Sequence, residues 1–328
     1  MKARNKEIDI AKGICILCMI LVHATYGWGN YSKINTYTGV FFLVFFFFTA
    51  GFYYRAPKNA LDYITRRLER LEIPCVCVCL VFFLKMWSHG YRNLPVLVNS
   101  LFYALPSAFS APYMIAGTNT VGIGPIWFLN CLFVTCLFYL PVSRLEMKYR
   151  TAVVIILAIA AKVSQTYTLL PFNIQDALIG MMFFHAGQVM YPYIKNGIAW
   201  LHAHTLAAAE IFGAVLTMYV MEIRHLPFQW FNLGGNSYNF QSLLGSFTGF
   251  ALVLLVSVLI IKIPVLRDVL GFIGENSMVV LVLHSLDITT LRNWGTRSWL
   301  FIVTTLFYYT LITFIYVEGK SRINWKRK

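Results

Sequence analysis

Long apolar runs separated by short polar segments set the pattern of this chain. They lie near residues 8–27, 38–54, 73–88, 122–142, 151–170, 175–193, 199–221, 243–262, 269–290 and 298–317. A helix needs about 20 mostly apolar residues to cross a bilayer, and the runs fit that length. They predict an all-α, polytopic membrane protein of about ten transmembrane helices in a single domain over residues 1–328. Between the third and fourth runs, residues 88–121 are rich in Pro, Gly, Ser and Asn. This stretch predicts an ordered loop with one short interfacial helix.

Composition agrees with the pattern. The chain is 59% hydrophobic and only 12% charged, too little charge for a soluble surface of 328 residues. Its net charge of +14 is explained by topology, not by a nucleic acid. With a cytoplasmic N-terminus, 19 of the 27 Lys and Arg fall on the cytoplasmic side and five on the other. The clusters Arg55–Arg70 and Lys320–Lys328 carry much of this bias. The positive-inside rule then predicts an even number of spans with both termini in the cytoplasm. The first apolar run carries Asp9 and Lys12 and lacks a clear small-residue cleavage site, so it predicts a retained helix, not a cleaved signal peptide.

Ionisable residues inside such runs are costly and point to function. Lys12 and His23 both lie in the first run. Eleven positions bring a helix to within about 20° of its starting direction and advance it by ~16 Å. One stripe therefore carries a cation near one membrane face and an imidazole near the other. The alternative is that Lys12 snorkels to the interface and His23 is interfacial. Asp9 lies one turn from Lys12, placed to orient or neutralise it.

Three further groups stand out. TRRLERLEIP (65–74) sets Arg67 and Arg70 three apart at the start of the third run, expected at the cytoplasmic interface. Two guanidiniums there suit phosphate, or serve as topology signals and lipid contacts, with Glu69 and Glu72 as pairing partners. GIGPIWFL (122–129) places a Gly–Pro turn before Trp127, read as an aromatic anchor at the outer face. GENSMVVLVLHS (274–285) puts Ser277 and His284 two turns apart on one face, with His284 at the expected depth of His23. His185 has no evident partner and reads as a packing histidine, and His89, His202, His204 and His225 fall near the interfaces. The seven cysteines read as small apolar packing residues, Cys15-x-x-Cys18 included, and no metal site is expected. Val40–Phe48 reads as lipid-facing or packing bulk.

Taken in order, these pieces resemble the acyltransferase-3 family of bacterial integral-membrane acyltransferases, in particular its fucose 4-O-acetylase-like branch. IDIAKG with His23 resembles the family's basic-x10-His element, and FFFFTAGFYYR (45–55) its FFFxSGF. RRLERLEIP resembles RxxR-x-x-IP, GPIWFL resembles G-P-x-W-F-L, and NSMVVLVLHS resembles S-x(3)-YLxH. Three departures are visible. Lys12 stands where many members have Arg, Thr49–Ala50 replaces the usual Ser before Gly51, and the Tyr ahead of His284 is missing.

The resemblance implies transfer of an acyl group, usually acetyl, from acyl-CoA to a carbohydrate hydroxyl of a surface or lipid-linked glycan. It implies a multi-pass protein of the bacterial inner membrane with acetyl-CoA as donor substrate and no bound cofactor. Membrane lipids and a polysaccharide-synthesis complex are the implied partners, with no nucleic acid among them. Lys12, Arg67 and Arg70 fall to the donor. His23 is either general base or acyl acceptor. Trp127 is a stacking surface for sugar, His284 is a second acid/base or a structural partner, and Asp9 and Ser277 are acceptor-site or supporting residues. No appended soluble domain is expected, so the protein either acts directly on its acceptor or hands the acyl group on. A transporter or flippase of acyl or sugar-lipid intermediates is the competing class, though no repeated halves are visible. A degenerate member kept as a scaffold is the third reading.

Overall fold

A computed structural model describes residues 5–25, 31–88, 93–104, 112–115, 118–226, 239–293 and 299–325. Among them the chain is helical at each of the ten expected places. Five helical stretches are apolar and long enough to cross a membrane: Ile34–Phe52, Ala60–Ser88, Gly124–Val142, Thr205–Ile223 and Phe240–Ile260. A sixth is the pair Pro264–Glu275 and Ser277–Leu286, where the expected continuous ninth span is bent by 69°. Asn276 makes the corner, its side chain donating to the Phe272 carbonyl at 2.9 Å. The first and fifth expected spans also form helices, but they carry Glu7, Asp9 and Lys12, and Lys148, Arg150 and Lys162. The loop expected over 88–121 contains the anticipated short helix, Leu94–Tyr103, and an unanticipated antiparallel hairpin that pairs Pro112 with Val121.

The chain forms two compact units. The first comprises residues 1–43, 197–228 and 241–328. At its heart is helix α1 (Lys6–Ala24), capped by Asn5, whose side chain accepts from the Ile8 amide at 3.0 Å. α1 is buried on most of its circumference, as a helix apolar all round must be when other helices enclose it. It crosses the later helix Pro264–Glu275 at backbone contact. A Cβ on Gly13 would meet the Leu270 carbonyl, and one on Gly274 the Asp9 carbonyl. Small residues permit such approaches where membrane helices pack. In the same unit Ser246 donates to the Val40 carbonyl at 2.7 Å, and Tyr219 to the Tyr37 carbonyl at 2.6 Å. Glu7 meets His202 Nε2 at 2.7 Å.

The second unit comprises residues 44–196 and 229–240. Its centre is Trp127–Val142, twelve of whose sixteen residues are buried. Against it pack Ala60–Arg67, a single π-helical turn at Leu68–Glu72, and Ile73–Ser88. Phe45, Phe47, Phe48, Tyr139, Phe183 and Phe184 are fully buried, so the phenylalanine run is packing bulk, not lipid-facing surface. Outward-facing aliphatics such as Leu84 (70% exposed), Ile156 and Ile159 suit contact with lipid.

His185 is fully partnered. Nδ1 lies 2.8 Å from the Tyr139 hydroxyl and Nε2 2.9 Å from Thr151 Oγ1. Thr151 also donates to the Met147 carbonyl, and Tyr139 to Gln188 Oε1, so the ring belongs to a wider buried network. His185→Phe is expected to cost about 1–2 kcal/mol, because the two hydroxyls lose a buried partner. The check is a thermal midpoint in detergent a few degrees lower, with acyl transfer retained.

Candidate active site

The first unit brings together residues from opposite ends of the chain. Helix α1 presents Asp9, Lys12 and His23. Lys12 Nζ stands 3.7 Å from Asp9 Oδ1, and both side chains are largely buried. One turn of helix produces this pairing without help from another element. His23, in the last turn, is half-buried. Its ring centroid lies 5.1 Å from that of His284, at a 40° tilt. His284 is buried on the helix Ser277–Asn293. Its Nδ1 is 3.2 Å from the hydroxyl of Tyr309, itself buried on Trp299–Trp325. His284 Nε2 is buried and makes no hydrogen bond. Ser277 is buried at the start of the same helix, two turns away.

The arrangement is thus a half-exposed imidazole backed by a second, buried imidazole whose far nitrogen is held by a phenol. Such a hydrogen bond selects the tautomer of the buried ring and so decides whether Nε2 presents a proton or a lone pair. Tyr309 was not singled out by the sequence. It sits among seven other aromatics in Trp299–Trp325, and nothing local marks it.

The second unit holds Arg67, Arg70 and Trp127. The guanidinium of Arg67 lies 5.1 Å from the centre of the Tyr63 ring. Arg70, on the π turn, is exposed. Glu72, on the same turn, meets Asn130 Nδ2 at 3.2 Å and 3.3 Å through its two oxygens. The cluster therefore runs alongside Trp127–Val142 and does not stop at its end. The apolar run begins at residue 73, but the helix does not. Helical structure continues back to Ala60, and Ala60–Ser88 makes one stretch of 29 residues. Glu72 and Asn130 went unrecognised as partners because 58 residues separate them.

Trp127 is 3% exposed, so it is an interior residue, not a lipid-facing anchor. The turn before it explains the motif. Gly124 has φ 66°, which glycine adopts without strain, and Pro125 starts the short 3-10 turn Gly124–Ile126 that feeds the helix.

A helical protein with an aliphatic outer surface, which encloses a Lys–Asp pair and two neighbouring imidazoles, is a membrane protein equipped for chemistry. The chain belongs to the acyltransferase-3 family, whose acyltransferase-domain profile it matches over residues 5–317. It is a membrane acyltransferase. No curated protein and no solved structure matches it.

Proposed function

We propose that the protein transfers an acyl group, in the first instance acetyl, from acyl-CoA to a carbohydrate hydroxyl of a surface or lipid-linked glycan. The observation that carries this reading is the half-buried His23 ring tilted against His284 in a chain of this family. The His23 imidazole can remove the hydroxyl proton as the oxygen attacks the thioester carbonyl, the C–S bond breaks and CoA leaves as its thiol. It can equally attack the carbonyl itself, expel CoA and carry the acyl group as an acyl-imidazole until the sugar hydroxyl takes it. In the first role His284 packs against His23 and sets the angle of its ring. In the second it orients the attacking nitrogen.

Arg67 and Arg70 are the cations assigned to the donor's phosphates, since guanidinium matches phosphate in geometry and charge. Lys12, held by Asp9, is assigned to the donor as well. Ser277 supports the His284 helix. Ten membrane crossings with both termini in the cytoplasm accommodate this chemistry, because they leave Arg67 and Arg70 on the side where CoA is found. A multi-pass position in the bacterial inner membrane follows, with a polysaccharide-synthesis complex as the setting.

The test is the acyl-ester content of surface glycan, read by NMR, in a deletion strain with and without the complementing gene. Loss of an ester resonance on deletion and its return on complementation are expected. An unchanged ester spectrum in the deletion strain overturns the reading.

A further inference from the structure

Glu72 is an unusual carboxylate. It is half-buried beside the apolar helix Trp127–Val142, and no cation pairs with it among the described residues. The arginines near it in sequence are directed elsewhere: Arg66 pairs with Asp62, Arg67 lies over Tyr63, and Arg70 is exposed. Its one partner is the Asn130 amide nitrogen, shared between both carboxylate oxygens. Asn130 is 3% exposed, and its own oxygen is buried without a hydrogen bond. The pair sits where a π turn interrupts the helix, a distortion that is rare and concentrated at functional sites.

A structural clamp explains this poorly. An unpaired buried carbonyl destabilises the fold, and a carboxylate without a cation does so more. Two apolar side chains would join these helices at less expense. The feature left unexplained is a surplus of acceptors: lone pairs on the carboxylate and on Asn130 Oδ1, with one NH2 group between them. Such a group is complementary to a ligand carrying N–H or O–H donors.

The position narrows the class. Arg67 lies over the Tyr63 ring, and Glu72 meets Asn130. The two residues are five apart on one helical stretch, about 7–8 Å of rise. A guanidinium at one level and paired acceptors further along match an extended ligand with phosphates at one end and amides along its arm. We infer that Glu72 and Asn130 form a subsite that reads the pantetheine arm of the acyl donor, accepting its amide N–H groups while Arg67 holds the phosphates. This rests on the acyl-CoA reading above.

The test measures binding to the purified full-length protein in nanodiscs by calorimetry. The two ligands are CoA and adenosine 3′-phosphate 5′-diphosphate, the same nucleotide without the pantetheine arm. Wild type is expected to bind CoA at least tenfold more tightly. Glu72→Gln, which keeps the shape and removes the charge, is expected to weaken CoA about tenfold and leave the nucleotide unchanged. Asn130→Leu should show the same selective loss, while Arg67→Ala should weaken both ligands. Retained nucleotide binding certifies the fold of each variant. If Glu72→Gln and Asn130→Leu bind CoA as wild type does, or lose both ligands equally, the subsite is overturned. If wild type binds neither ligand, the acyl-CoA reading itself has failed.

Discussion

His23→Gln is expected to lower acyl transfer by about 10²–10⁴-fold, the range for removing a general base or a nucleophile from its reacting atom. Glutamine fills nearly the same space and keeps a hydrogen-bonding end, so the protein should still enter the membrane and elute as one species. The readout is turnover of acyl-CoA by purified protein at matched concentration, with the thermal midpoint measured alongside. Activity within threefold of wild type would remove His23 from the chemistry. A single-turnover experiment with radiolabelled acetyl-CoA and no acceptor separates its two roles. Label held by the protein and lost in His23→Gln denotes an acyl-imidazole; no retained label denotes a base. Tyr309→Phe should leave His284 in place while freeing the choice of tautomer, and should reduce turnover less than His23→Gln does.

The second large effect is on stability. Gly274→Leu is expected to cost about 3 kcal/mol or more, because even the first carbon of a side chain would collide with the Asp9 carbonyl. Backbone cannot swing aside as a side-chain tip can. Gly271 is the internal control, on the same helix and with nothing within 4 Å of an added Cβ. Gly271→Ala should be neutral or stabilising by up to about 1 kcal/mol, from helix propensity. Size-exclusion profiles of the solubilised proteins should show the first variant depleted or aggregated and the second unchanged. Equal behaviour of the two would mean that α1 and Pro264–Glu275 do not pack as described.

What could be read in the sequence followed the physics that local patterns record. Hydropathy located the helices, because burial in lipid demands long apolar runs whatever their neighbours. The 3.6-residue period put Lys12 within reach of Asp9, and matching depth put His23 near His284. What escaped was set by distant contacts. The side chain of Trp127 is interior because other helices enclose it, a fact absent from GPIWFL. Residues 269–290 read as one span, yet Asn276 turns the chain, since its side chain can satisfy a carbonyl that the corner releases. Glu72 appeared to belong to a cytoplasmic charge cluster until Asn130 located it beside an apolar helix.

The enclosure of α1 also bears on how the protein is made. α1 leaves the ribosome long before Pro264–Glu275, Ser277–Asn293 and Trp299–Trp325, which pack against it. Until they arrive, the first helix must wait in the bilayer, and packing across so wide a sequence interval is slow to form. The i,i+3 pairing of Asp9 with Lys12 needs no other segment. It lets the nascent helix enter lipid as a neutralised dipole, well before any tertiary partner exists. Breaking that pair would therefore be felt during insertion, as a loss of yield in the membrane, even where the mature enzyme tolerates the change.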